Sequence, residues 1–421
     1  MENKEKVIEK TSYKDILKQK EFMKIVWAGV INRFGDSIDA IAFTWMVYMI
    51  TKSAAWSALV FAVNQLPSVL VQPFAGALVE GMNKKKLMVV TDVIRGMITA
   101  GLAALYLANA LNPWILLIFT LINSTVEAFR LPASLAVVPK VLEEKHYEYG
   151  TALNSTLSTV VQLIGLGTAG LIIGAFGIGT AIAIDGISFF GSAFILSFLK
   201  IKEDTKTGRE KKWQIREYML VLKDGFFYLK GQPVIRNFCL LAVLINAVIV
   251  PLNSLQTPLV QEVLGQGSEL LSVFSIAMTM GMGIGSFVYP FLSSKLSVRV
   301  QFAGAGILLG MAMYSFTWGE NFQDFTAGIY ALTIAASFLL GVSCSVLTSA
   351  LSVQFMKAVD QEYLARVGSI FNAGASAATP AASFLSGALA AFCSVSQIFR
   401  LCALFCVIIF LVIGTAKIRL E

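Results

Sequence analysis

The sequence predicts an all-α integral membrane protein whose twelve transmembrane helices form two six-helix bundles. Three observations carry that reading: an apolar composition, a succession of charge-free runs, and basic residues gathered on one side of those runs. Of the 421 residues, 56% are hydrophobic and 14% are charged, and the mean hydropathy is +0.73. Soluble chains carry roughly 25% charged residues. Stretches such as Leu102 to Asn123 and Leu401 to Thr415 hold no charge at all, which suits a lipid solvent rather than water. Thirty-three glycines against ten prolines fit helices that pack through small residues.

A window of about 20 residues, the length needed to cross the hydrocarbon core, places spans near 24–50, 55–80, 87–108, 113–138, 150–175, 178–200, 234–261, 270–294, 298–318, 325–356, 363–391 and 394–416. The two longest, 325–356 and 363–391, exceed one crossing and are expected to tilt or to run past the membrane face. Residues 1–23 are charged throughout, with one weak apolar stripe at Val7, Ile8, Ile16 and Leu17, and form a cytoplasmic tail without a cleavable signal.

The net charge of +7 is a topology signal, not a nucleic-acid footprint. Of 33 Lys and Arg residues, 28 fall in the N-terminal tail, in alternate connectors and at the C-terminal end, against Lys52 alone in the opposite loops. Both termini are therefore expected in the cytoplasm of a multi-pass plasma-membrane protein. The polar connector at 201–232 separates bundles at 24–200 and 233–416, with a short tail at 417–421. Within the connector, Trp213, Ile215, Tyr218, Met219, Leu222, Phe226, Tyr228 and Leu229 predict an amphipathic helix in the headgroup plane, the alternative being a docking surface for a partner.

Composition also limits the chemistry. Cys239, Cys344, Cys393, Cys402 and Cys406 sit inside apolar runs without metal-like spacing and read as packing residues. The single histidine, His146, excludes His-based triads and multi-histidine metal sites. No Gly-rich phosphate loop with its lysine is present, so an ATP-driven pump is not supported. No cofactor and no enzymatic activity are expected.

Two six-span halves joined at the membrane surface are the layout of parallel-repeat secondary transporters, with a substrate site between the halves near the midplane. The segment Phe74-Ala-Gly-Ala-Leu-Val-Glu80-Gly-Met-Asn-Lys84-Lys85-Lys86 resembles the signature loop of the major facilitator superfamily: a glycine, three intervening residues, an acid, a short turn and basic residues. The resemblance implies a cytoplasmic gating latch built on Gly76, Glu80, Lys84 and Lys85. Gly81 stands where that family usually places a basic residue, and Asp92 and Arg95 are the candidates to supply the missing partners.

Further strings resemble the macrolide and siderophore efflux branch of the superfamily: Arg130-Leu-Pro132-Ala133, Pro139, Asn154, Asp185-Gly-Ile-Ser188-Phe189 and Ala365-Arg366-Val367-Gly368-Ser369-Ile370-Phe371. Arg33-Phe34-Gly35-Asp36 is similar to lysophospholipid transporters of the same superfamily. The sequence departs from the pattern in two places. Asn123 stands where many proton-coupled members carry an arginine, and Gly165-Leu-Gly167-Thr168-Ala-Gly170 lacks the helix-bending proline of the exporter motif.

Charges inside the spans are the functional candidates, because each costs roughly 2.5–3.5 kcal/mol at a helix centre. The first half holds Arg33, Asp36, Asp39, Asp92, Arg95, Glu127, Arg130 and Asp185, whereas the second has essentially Arg400. Asp36 and Asp39 lie about 18–22 Å into the first span, and Glu127 a similar distance from the other end of the fourth. The i, i+3, i+6 spacing of Arg33, Asp36 and Asp39, and the i, i+3 spacing of Glu127 and Arg130, put each set on one helix face. One reading makes Asp36, Asp39 or Glu127 the proton carrier, flanked by Arg33 and Arg130. The other makes Arg33–Asp36 and Glu127–Arg130 static salt bridges, which leaves Asp39 unpaired. Asp185 reads as a helix-packing acceptor.

The second half offers neutral, flexible and aromatic side chains. Its Asn246, Gln256, Phe274, Met278 and Asn372, with Asn123 of the first half, are the candidates to line a cargo cavity. The predicted function is proton-coupled efflux of amphipathic or lipophilic small molecules by a monomer, with membrane lipid as surroundings and no nucleic-acid partner. The alternatives are a lipid or lysophospholipid flippase, with Arg33 and Asp36 clamping a zwitterion, and a non-transporting sensor or scaffold.

Overall fold

The computed structural model describes residues 13–80, 82–143, 146–201, 232–321, 323–359 and 364–415, and the described residues contain helices and no strand. A short helix α1 (Tyr13–Leu17) precedes α2 (Lys20–Thr51), α3 (Ala54–Leu70), α4 (Gln72–Glu80), α5 (Lys84–Leu107), α6 (Pro113–Val141), α7 (Tyr147–Phe176) and α8 (Ile178–Ser197). The second half comprises α9 (Pro233–Ser254), a π-helical turn at Leu259–Val263, then α10 (Ser268–Lys295), α11 (Val298–Ser315), α12 (Thr326–Ala358), α13 (Leu364–Ala390) and α14 (Val395–Thr415).

Local chemistry sets several boundaries. Asn83 and Asn112 cap α5 and α6 by accepting from the backbone N–H groups of Lys86 and Ile115, the arrangement that satisfies the otherwise orphaned donors of a helix start. Gly177, at φ +83°, makes the turn between α7 and α8 that an L side chain would resist. The span expected at 55–80 is instead two helices, broken at Val71. Pro67 lies inside α3 and Pro73 has no N–H to offer residue 69, so the ladder is interrupted there. Helix α1 and the first turn of α2 lie within the expected tail at 1–23. The connector helix expected at 201–232 lies almost wholly outside the described residues.

Among the described residues, nine helices are long and apolar enough to cross a membrane: α5, α6, α7, α8, α9, α10, α11, α12 and α14. The three other expected spans fall on α2, α3 with α4, and α13. Asp36 and Asp39 lower the hydropathy of α2, the break shortens α3, and Ala, Gly and Ser dilute α13.

In the first half α2 packs on α7 and α8, and α5 on α6 and α8; in the second, α10 packs on α12, α11 on α14, and α9 on α13. The closest crossing is α10 with α12. A Cβ on Gly341 would overlap the Met278 carbonyl oxygen, and one on Gly281 the Phe338 carbonyl. Backbones can touch there only because both residues are glycine.

The halves meet along α3–α13 and α7–α10. Their contacts include Ser383 Oγ to the Ala58 carbonyl at 2.7 Å, the Gly170 N–H to Ser272 Oγ at 2.8 Å, and the Tyr48 phenol OH to Glu262 Oε1 at 2.6 Å. These lie toward the face opposite the one that carries Lys20 and Phe198. On the Lys20 side the packing opens. Residues 154–156 of α7 and 282–284 and 286–288 of α10 are exposed, and three consecutive helical residues cover far more than one lipid-facing stripe. Toward their other ends the same helices are more buried, at Gly165, Leu166, Ala169 and Gly170 of α7 and at Ser268, Leu270, Leu271, Ser272 and Phe274 of α10. The structure is thus closed at one face and splayed at the other.

Candidate functional site

A cavity of about 310 Å³ lies between the halves. From α2 it is lined by Arg33, Asp36, Asp39, Phe43 and Thr44, from α3 by Ser57, Phe61 and Asn64, from α5 by Arg95, and from α6 by Asn123 and Glu127. The second half contributes Asn253, Ser254 and Thr257. The hydroxyls of Ser254 and Thr257 are buried without a hydrogen-bond partner, which leaves two polar groups available to whatever fills the space.

Arg95 is the centre of this site. It is 5% exposed, and its Nη2 lies 3.4 Å from Asp36 Oδ1 and 3.6 Å from Glu127 Oε2. Its Nε donates to Asn123 Oδ1 at 3.2 Å, and its guanidinium carbon stands 4.2 Å above the centre of the Phe189 ring. The fork of donors joins α2, α5 and α6, while the aromatic face of α8 supports the cation from behind. Asn123, which stands where a family arginine was expected, thus contacts an arginine supplied by the neighbouring helix.

A second network lies alongside. The fully buried Asp92 pairs with Arg130 through its Nε and, at 3.2 Å, its Nη2, and accepts from Ser192 Oγ at 2.7 Å. Neither of the intrahelical pairs suggested by sequence spacing is present: Asp36 and Glu127 share Arg95, and Arg130 belongs to Asp92. Asp92 and Arg95 are likewise engaged inside the bundle. Lys84 and Lys85 open α5 beneath the Asn83 cap. Gly76 and Glu80 lie on α4, and their side chains are outside the described set.

Arg33 is exposed at the cavity wall and makes no ion pair among the described residues. Asp39 is different: its Oδ1 is buried and has no hydrogen-bond partner. Asp185 is buried on α8 and accepts from Ser188 Oγ at 3.4 Å. Gly35 allows α8 to come this close, since a Cβ there would sit 2.7 Å from Asp185 Oδ1. The glycine therefore makes room for α8 and the carboxyl it carries.

Of the neutral cavity candidates, Asn123 lines the space and the others do not. Asn246 donates to Ala242 O of its own helix, Gln256 Nε2 reaches Ser275 Oγ at 3.3 Å, and Phe274 is buried in a stack with Phe316. Met278 is half-buried against the apolar core and Asn372 is exposed elsewhere on α13. Sequence reasoning missed Ser254, Thr257 and Asn64, which carry no charge to betray them. It also underrated Arg95, whose proximity to the signature loop drew it into the latch.

The sequence profile of the Major Facilitator Superfamily matches residues 25–326. The chain belongs to that superfamily. It is 23% identical over 367 residues to macrolide efflux protein A of Streptococcus pyogenes, covering 87% of this chain and 88% of that one. It is 24% identical over 306 residues to the multidrug efflux pump Tap of Mycolicibacterium fortuitum, covering 70% and 73%. In fold it is similar to the nucleoside transporter NupG, with a TM-score of 0.76 at 13% identity over 94% of this chain and 100% of that one. It is also similar to a bacterial homologue of the iron transporter ferroportin in an inward-facing state, with a TM-score of 0.67 at 14% identity over 94% and 99%. This member of the superfamily is a multi-pass membrane transporter, not an enzyme.

Proposed function

We propose that the protein is a proton-coupled exporter of amphipathic or lipophilic small molecules, working as a monomer in the cell membrane with both termini in the cytoplasm. The bundles at 24–200 and 233–416 rock about the central cavity, and the splayed face is the cytoplasmic one. The observation that carries this reading is the buried, donorless oxygen of Asp39 at a cavity where Arg95 is already shared by Asp36 and Glu127. A carboxylate taken from water without a donor is costly, and a proton removes that cost. Asp39 is therefore the proton carrier, and movement of the cavity wall exposes it to one side or the other.

The apolar wall of Phe43, Val47, Val60 and Phe61, interrupted by Asn64, Asn253, Ser254 and Thr257, supports a cargo with a large hydrophobic body and a few polar groups. Export as the direction draws support from the efflux relatives. One proton crossing at about 100 mV supplies about 2.3 kcal/mol, enough for a gradient of about 50-fold. The flippase reading asks Arg33 and Asp36 to clamp a zwitterion, but Asp36 is held by Arg95 across the bundle.

The test is a panel of macrocyclic, cationic and lysolipid cargoes in proteoliposomes with an imposed pH gradient, comparing wild type with Asp36→Asn, Asp39→Asn and Glu127→Gln. Transport of amphipathic drugs that loses its dependence on the gradient in Asp39→Asn supports the proposal. Movement of headgroup-labelled lysolipids alone contradicts it.

A further inference from the structure

Adjoining the main cavity is a smaller chamber of about 50 Å³, formed between α2, α3, α5 and α6 and lined in part by Asp39, Asn64, Thr99, Thr120 and Asn123. Two of its polar atoms stand out. Asp39 Oδ1 and Thr120 Oγ1 are both buried and both lack a hydrogen-bond partner, and Thr120 as a whole is 4% exposed. A hydroxyl inside a helix ordinarily bonds back to the carbonyl one turn earlier. Its neighbours on α6 do so: Ser124 Oγ donates to Thr120 O at 2.7 Å and Thr125 Oγ1 to Leu121 O at 2.6 Å. Thr120 forgoes that bond and fronts the chamber instead.

We infer that this chamber is a hydration site in which water joins the Thr120 hydroxyl to Asp39 and carries the proton that Asp39 binds and releases. The space exceeds the roughly 30 Å³ that one water occupies, and the wall provides the two to four polar partners a buried water needs. Thr120 is a positioning residue here. Through the water its hydroxyl supplies the donor that the charged form of Asp39 otherwise lacks, and so it sets the pH at which the proton leaves. The charged groups that share Asp39's surroundings are Arg33 and Asp36 on α2, Arg95 on α5, Glu127 on α6 and Asp185 on α8. Arg130 and Asp92 are satisfied by each other. None of these groups lines the chamber except Asp39 itself, so the hydroxyl at position 120 can be altered without touching an ion pair.

The inference rests on Asp39 being the proton carrier, and the experiment separates the two claims. Transport driven by a pH gradient is measured against pH in proteoliposomes for wild type, Thr120→Val, Thr120→Ala and Thr120→Ser, with Asp39→Asn alongside. Loss of a water-bridged donor favours the protonated form, so Val and Ala should move the half-maximal point upward by roughly half a unit to one unit. Serine, which restores the hydroxyl, should return the wild-type profile. The alanine variant guards against a misfit of the valine. If Asp39→Asn uncouples transport while Val and Ala reproduce the wild-type curve, the chamber has no role and the carrier assignment stands. If Asp39→Asn leaves coupling intact, the carrier assignment fails and takes the chamber's role with it.

Discussion

The two halves of this transporter pack by different means. The first half is knitted by ionic networks centred on two buried groups: Asp92 with Arg130 and Ser192, and Arg95 with Asp36, the exposed Glu127 and Asn123. The second half is knitted by backbone contact, with Gly281 and Gly341 letting α10 and α12 touch, while its ion pair of Arg400 with Glu320 lies at the exposed end of α14. Buried ions are poor adhesive, because their desolvation offsets most of their attraction. Their concentration in one half points to function: a proton can alter an ionic network and cannot alter a glycine crossing. Under the proposed mechanism the first half is the part that senses the proton, and the second is the apolar wall against which it moves.

The largest effect should follow from Asp92→Ala. It leaves Arg130 charged and mostly buried without its carboxylate, at a cost of about 3–5 kcal/mol, visible as a marked loss of thermal stability in detergent. A variant as stable as wild type would mean that the network is not what holds the first bundle. The matching change in the second half is Gly341→Leu. It forces side-chain atoms against the Met278 backbone and should cost about 1–3 kcal/mol while leaving the dependence of residual transport on the pH gradient unaltered. A change in that dependence would erase the division of labour between the halves. Smallest is Tyr48→Phe, which removes a hydrogen bond between the halves worth about 0.5–1.5 kcal/mol. It should raise the labelling of cysteines introduced on the closed face, and unchanged labelling would show that this contact does not help to keep that face shut.

Much of the fold was legible because lipid imposes simple rules: run length gave the spans, and lysine placement gave an expected orientation. What remained hidden has a common physical cause. Sequence spacing reports which side chains share a helix face, so Arg33 with Asp36 and Glu127 with Arg130 looked like pairs. It does not report which face meets which neighbour, and the observed partners come from α5 instead. The break at Val71 was missed because hydropathy ignores backbone donors, although Pro67 and Pro73 carried the signal. Asp36, Asp39, Glu127 and Asn123 were found as charges or polar groups out of place in a span. Ser254, Thr257 and Thr120 escaped notice because hydroxyls are common in membrane helices and only their missing partners distinguish them.

The central claim is that Asp39 couples proton movement to cargo movement. It is tested most directly by reconstituting wild type and Asp39→Asn in liposomes with an internal pH dye and adding a transported cargo. The account predicts a cargo-dependent pH change with wild type, and none with Asp39→Asn although that variant still binds the cargo. An undiminished pH change with Asp39→Asn would contradict it.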